Sequence, residues 1–219
     1  MKSLKIILFN KMAISMLDIE SGNRMLNEEE VNLLSKNDID VMIGQIIKDI
    51  SNSEIKEIIL RGDAVAKGIG FEVLQSRTVT VIAQLREKLN QNGYQIFLFD
   101  KGYDSQREDK IPHDIIAVIK GTDQFDIVRA VRTDGINYGI EHEDVLAKLK
   151  EWNQKYPFRI SGANLDWVEA DFISLPDDLI SFAKEVYEFC PDVVDQGVGS
   201  VEELAEAIEM LYSLYLWWD

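Results

Sequence analysis

Two short apolar runs, Phe158 to Ile160 and Trp167 to Phe172, are joined through Gly162-Ala163-Asn164. A parallel strand pair needs a crossover of roughly a dozen residues or more, so this spacing predicts an antiparallel hairpin. Helical patterns lie on both sides of it. A chain that mixes hairpin-joined strands with helices reads as α+β: a two-layer sandwich with a mixed or antiparallel sheet and helices packed mainly on one face.

The flanking elements follow from periodicity and caps. Leu26 to Ile50 has apolar residues three to four apart and divides at Asn37-Asp38, with one of the two as the second N-cap. Glu57 to Leu60 reads as a strand ended by Arg61-Gly62-Asp63. Val79, Ile82, Leu85 and Leu89 mark a helix, and Gly93 stands where a C′ glycine belongs. Tyr94 to Phe99 and Asp114 to Lys120 read as strands, the second apolar enough to be central. Thr122 or Asp123 caps a helix to about Arg132, and another spans Glu143 to Trp152. Ser174-Leu-Pro-Asp177 and Ser200-Val-Glu-Glu203 each open a helix, and Leu214 to Trp218 is a terminal strand. Met1 to Phe9 reads as a strand or amphipathic helix, too short and too soon interrupted for a secretion signal. The loop near Asp104 to Lys110 is the place for a boundary between residues 1–108 and 109–219, unless the two share one continuous core.

Charge is unevenly placed along the 219 residues. The formal net charge is −16, yet Asn164 to Asp219 alone holds fourteen acids against Lys184. This balance weighs against a general nucleic-acid binder or an anionic-membrane binder, both of which need a basic face. No apolar run approaches the roughly 20 residues of a membrane span, and a single cysteine excludes an intrachain disulfide framework. A cytoplasmic protein is expected. The acidic half reads either as a face for a basic partner or cation, or as a solvated surface whose acids favour helix N-termini.

Three segments carry a resemblance. Glu185-Val-Tyr-Glu-Phe-Cys-Pro-Asp-Val-Val-Asp-Gln-Gly197, Leu216-Trp-Trp-Asp219 and Thr133-Asp-Gly-Ile-Asn-Tyr138 are similar to the bacterial family labelled domain of unknown function 4253. The resemblance runs from about Ile111 to the C-terminus. It implies a homology class and no particular activity.

Alternation puts Trp167, Glu169 and Asp171 on one face of their strand, and Tyr215, Trp217 and Asp219 on one face of the last. If those strands are antiparallel neighbours, Trp167, Glu169, Asp171, Trp217 and Asp219 form an aromatic–acidic surface for a cationic or polar ligand. The other reading is an ordinary polar-out face. Asp192 and Asp195 flank Pro191 in a loop, as an acid–base pair or as turn organisers. Cys190, at a helix C-terminus among acids, reads as a small buried hydrophobe. Glu141-His142-Glu143-Asp144 lacks metal-ligand spacing, Gly68-Ile-Gly70 lacks the third glycine of a dinucleotide fingerprint, and Gly197-Val-Gly199, crowded by Asp195, Glu202 and Glu203, reads as a turn and cap rather than an anion cradle.

The expectation is a non-enzymatic protein that binds through its acidic C-terminal half. Its partner would be a protein with a basic face or a small polar ligand; the candidate residues are Trp167, Glu169, Asp171, Asp192, Asp195, Trp217 and Asp219. No catalytic residue, metal or cofactor is assigned. The alternative is a small-molecule or metal-assisted hydrolase drawing on Asp192, Asp195, His142, Glu169 and Asp219.

Overall fold

The computed structural model describes residues 25–60, 65–102 and 111–219. Met1 to Phe9, Arg61-Gly62-Asp63 and the Asp104 to Lys110 boundary lie outside them. In chain order the elements are α1 (Glu28–Lys36), α2 (Val41–Ser51), β1 (Ile55–Ile59), β2 (Val65–Leu74), α3 (Thr78–Gln91), β3 (Tyr94–Asp100), β4 (His113–Lys120), α4 (Phe125–Val131) and α5 (His142–Lys155). There follow β5 (Phe158–Ala163), β6 (Trp167–Phe172), α6 (Leu179–Phe189), a π-helical turn (Val193–Val198), α7 (Val201–Leu211) and β7 (Ser213–Trp217).

The strands form one seven-stranded mixed sheet, in the order β1-β2-β4-β3-β5-β6-β7. Among the described strands only β3 and β5 pair in parallel. The fold is α+β. The sheet crosses residue 108 without a break, because β4 lies between β2 and β3.

Strand parity decides which helix covers which face. Ile96, Ile116 and Val118 point to one side, where Leu34 of α1, Ile43 and Ile47 of α2, and Val81, Leu85 and Leu89 of α3 pack on them. Phe97, Ala117 and Ile119 point to the other, where α4 to α7 bury Val128, Leu149, Phe182 and Ile208. Each such side chain contributes about 1.5–3 kcal/mol of burial. The two-sided burial of β4 explains its unbroken apolar sequence. Helices α4 to α7 share one face, as expected, while α1 to α3 add a layer on the opposite face of β2 to β4. Among the described residues no helix covers that opposite face over β5 to β7.

β2 is the element that periodicity did not predict. Its two glycines break the apolar pattern, and packing requires one of them: a Cβ on Gly68 would meet Ile119 Cγ2 at 2.7 Å and the Val118 carbonyl at 2.8 Å. Three helix starts also move. Helix α4 begins at Phe125 after Gln124, not directly after Thr122 or Asp123. Asn37 ends α1 rather than opening α2; its side chain donates to the Leu33 carbonyl and accepts the Gly68 N–H, while Asp40 takes the N-cap position. Helix α6 begins after Asp178, whose carboxylate accepts the Ser181 N–H at 3.0 Å, so Ser174 and Pro176 precede the helix. Ser200 caps α7 as expected, accepting the Glu203 N–H at 3.1 Å.

Both outer strands are tied at their free edge by a side chain. On β1 the buried Glu30 carboxylate accepts the Ile55 N–H at 3.1 Å. The same carboxylate accepts the Asn27 N–H and pairs with the buried Lys48 ammonium. On β7 the Cys190 thiol donates to the Trp217 carbonyl at 3.0 Å and accepts the Trp217 N–H at 3.3 Å. Such ties blunt an edge that would otherwise template pairing with another chain.

The β3–β5 junction is a seam. Its ladder holds a single partner pair, Leu98 and Gly162. Towards the other end of the strands the Gln124 amide takes the place of a neighbouring strand. It accepts the Ile160 N–H at 2.8 Å and donates to the Phe158 carbonyl at 3.2 Å.

Candidate functional site

β6 and β7 are antiparallel neighbours, and their register sets Trp167 opposite Trp217, Glu169 opposite Tyr215, and Asp171 opposite Ser213. The inward residues of the same strands, Val168, Ala170, Leu214 and Leu216, are locked into the core beneath α4 to α7. Trp167, Glu169, Asp171, Tyr215 and Trp217 therefore share the face that no described helix covers. Trp167 is buried and stacks on Tyr215, with ring centroids 5.9 Å apart and planes inclined by 30°. Gly162 makes this possible, since a Cβ there would meet the Trp167 ring at 2.8 Å.

A cation already sits in this face. The Lys101 ammonium lies 2.9 Å from Glu169 Oε2, 4.9 Å from the Tyr215 ring centroid and 5.6 Å from that of Trp167. A carboxylate and two ring faces are the donor set that recognises an ammonium or guanidinium group. Lys101 follows directly on β3, two residues beyond the buried Phe99, so strand geometry delivers it here. Further along the face Asp171 stands opposite Arg159 of β5. Burial and then the Glu169 charge raise its pKa above the ordinary carboxylate value, against the pull of Arg86 and Arg159. The Ser161 hydroxyl lies close enough to favour the charged form of Asp171, yet it is buried without a hydrogen bond of good geometry.

Asp192 belongs to a different constellation, on the helix side of the sheet. It is 1% exposed, and its carboxylate accepts the Tyr138 hydroxyl at 2.5 Å, the Gln196 amide at 2.7 Å and the Asp219 N–H at 2.8 Å. Burial alone would raise its pKa; the three donors outweigh burial and lower it. Asp192 in turn holds the Tyr138 phenol up at about 12. Around it Trp218 packs edge-on against Phe189 at 5.7 Å and against Gly135, where a Cβ would meet the indole at 2.7 Å. The segments 133–138, 185–197 and 216–219 thus converge on one buried carboxylate.

The predicted residues divide accordingly. Trp167, Glu169, Asp171 and Trp217 come together. Asp219 does not join them, because the chain leaves the strand after Trp217 and gives its N–H to Asp192. Asp195 is exposed and accepts the Tyr187 hydroxyl at 3.0 Å. The His142 ring lies against the Thr133 carbonyl, at 3.1 Å, away from both clusters. Four of the fourteen acids from Asn164 onward, Glu202, Glu203, Glu206 and Glu209, lie on the exposed side of α7, across the sheet from the aromatic face. Among the described residues no group of three or more His, Cys, Asp or Glu side chains is placed to hold a metal ion. Sequence reasoning missed Lys101, which falls between the strands expected at Tyr94 to Phe99 and Asp114 to Lys120, and Tyr215, whose strand parity already placed it with Trp217.

No described helix is long and apolar enough to cross a membrane. Neither the curated proteins nor the solved structures yield a match to the chain. Residues 115–219, from β4 to the C-terminus and just under half of the chain, match the model of the family described as Domain of unknown function (DUF4253), and the three convergent segments all lie within that match.

Proposed function

We propose that this protein is a cytoplasmic, non-enzymatic binding module whose β5–β7 face receives a lysine or arginine side chain from a basic protein partner. The caged Lys101 ammonium carries the reading: the face holds a cation against a carboxylate and two aromatic rings. Lys101 acts as an internal occupant that an incoming cation displaces. Cation–π contacts are worth about 0.5–2 kcal/mol. An ion pair as exposed as this one adds about 0.2–1 kcal/mol. Displacement is therefore a modest barrier, and the net charge of −16 favours encounter with a basic surface.

The test is titration with an oligolysine peptide, followed by tryptophan fluorescence at low and high salt. Binding should weaken with salt, by up to about fivefold in Glu169→Gln and by up to about thirtyfold in Tyr215→Ala. Lys101→Ala vacates the cage and should tighten binding. Affinity that ignores both salt and Glu169→Gln would refute the proposal, and a response to free lysine alone would point to a small polar ligand instead.

A further inference from the structure

At the seam between β3 and β5 the sheet opens into a cleft of about 270 Å³. Its walls carry Arg86 and Asn90 from α3, Thr122 after β4, and Arg159 from β5; Gln95 and Gln124 line it as well. Parity puts Arg159 here, because Phe158 and Ile160 on either side of it point into the core. Helix geometry puts Arg86 here: it follows the buried Leu85 and precedes Asn90 by one turn, so both reach over the seam.

Two guanidinium groups side by side repel each other, and in this chain the pairing is conspicuous, since acids outnumber bases by 39 to 23. Neither group makes a hydrogen bond or ion pair with any described residue. Among the described residues the Asp171 carboxylate acts on both guanidinium groups, and only at Coulombic range. Burial, followed by the neighbouring Arg159 charge, depresses the Arg86 pKa below its ordinary value, so the cleft is short of negative charge. Guanidinium forks satisfy tetrahedral oxyanions by paired, charge-assisted hydrogen bonds. A space of this size is small by the standard of drug-sized pockets.

We infer that the Arg86–Arg159 cleft is a binding site for a small dianionic oxyanion of the phosphate class, as free phosphate or as the phosphate group of a small monoester. This site stands independently of the cation face, which uses other residues. Asn90 and Thr122 supply uncharged polar groups at its rim. Gln124 is committed to the strand backbone and fixes the floor.

The experiment is calorimetric titration of the full chain near neutral pH, at ionic strength fixed with sodium chloride. Inorganic phosphate, glycerol 3-phosphate and acetate serve as separate titrants. Saturable one-to-one binding of phosphate is expected, at least tenfold weaker in Arg159→Gln and lost in the Arg86→Gln/Arg159→Gln double variant. The exposed Arg159 keeps the test meaningful should Arg86→Gln fail to fold. Tighter binding of glycerol 3-phosphate would identify an esterified phosphate as the occupant; tighter binding of inorganic phosphate would identify the free ion. No saturation by either up to about 10 mM, or acetate binding as well as phosphate, would overturn the inference. So would phosphate binding indifferent to Arg159→Gln.

Discussion

The Asp192 carboxylate accepts the Asp219 backbone N–H at 2.8 Å, which fastens the last residue of the chain to the loop between α6 and α7. Tyr138 and Gln196 complete its coordination. Asp192→Asn replaces one acceptor oxygen by an amide that faces a donor, so a loss of about 2 kcal/mol is expected. For a chain of this length that is a fall of roughly 4–8 °C in Tm. The folded pKa of Asp192 is depressed, so its contribution is present above the ordinary carboxylate pKa and disappears as pH falls through the folded value. The difference between wild type and variant in thermal unfolding should therefore be full near pH 6 and shrink as pH falls below the ordinary carboxylate value; a constant difference would argue against the charge on Asp192.

The buried Glu30–Lys48 pair gives a second prediction. Lys48→Met leaves Glu30 buried with only its two backbone donors, and a loss of about 3–5 kcal/mol in urea unfolding is expected. Glu30→Gln combined with Lys48→Met removes both charges and should recover much of that loss. The three hydrogen-bonded groups around Glu30 outweigh its burial and lower its pKa, so this pair too is weakened by acid.

Cys190 should behave as an inert thiol. Burial pushes its pKa up to about 12. Thiolate at pH 8 is then on the order of one part in ten thousand. Iodoacetamide should label the folded protein only at the rate of unfolding and the denatured protein at once. Because the neutral S–H donates to the Trp217 carbonyl, Cys190→Ser should keep more stability than Cys190→Val.

Gly135→Ala forces a methyl into the Trp218 indole, and a loss of about 1–3 kcal/mol is expected. Gly139 offers a contrast. It has open space but a φ of +71°, so Gly139→Ala destabilises through backbone strain instead. The two variants separate in tryptophan fluorescence, which only Gly135→Ala should perturb.

The sequence made the C-terminal face legible because alternation is a local property: Trp167, Glu169 and Asp171 stand on one side of any strand built from that segment. The pairing of β6 with β7 was a condition that the sequence could state and not decide. Lys101 was invisible for a physical reason: its partners lie on strands more than sixty residues away, and no local pattern encodes a cation–π contact. β2 escaped because glycine erases the alternation that marks a strand, although packing demanded that glycine at position 68. Arg86 and Arg159 carry no local sign of each other, since one lies on a helix and the other on a distant strand, and only the seam brings them together. Asp192, by contrast, was legible as a residue worth naming but not as buried. Its burial depends on Tyr138 and on the chain terminus folding back over it.

The amide that Gln124 lends to β5 stands where a neighbouring strand would otherwise supply the bonds. Hydrogen exchange at Ile160 therefore reports on the rotamer of a glutamine side chain rather than on strand separation. A Gln124→Ala variant should speed deuterium uptake at that one amide while leaving the antiparallel partners of β6 and β7 protected. The seam would then be readable as the line along which the two parts of the sheet breathe independently.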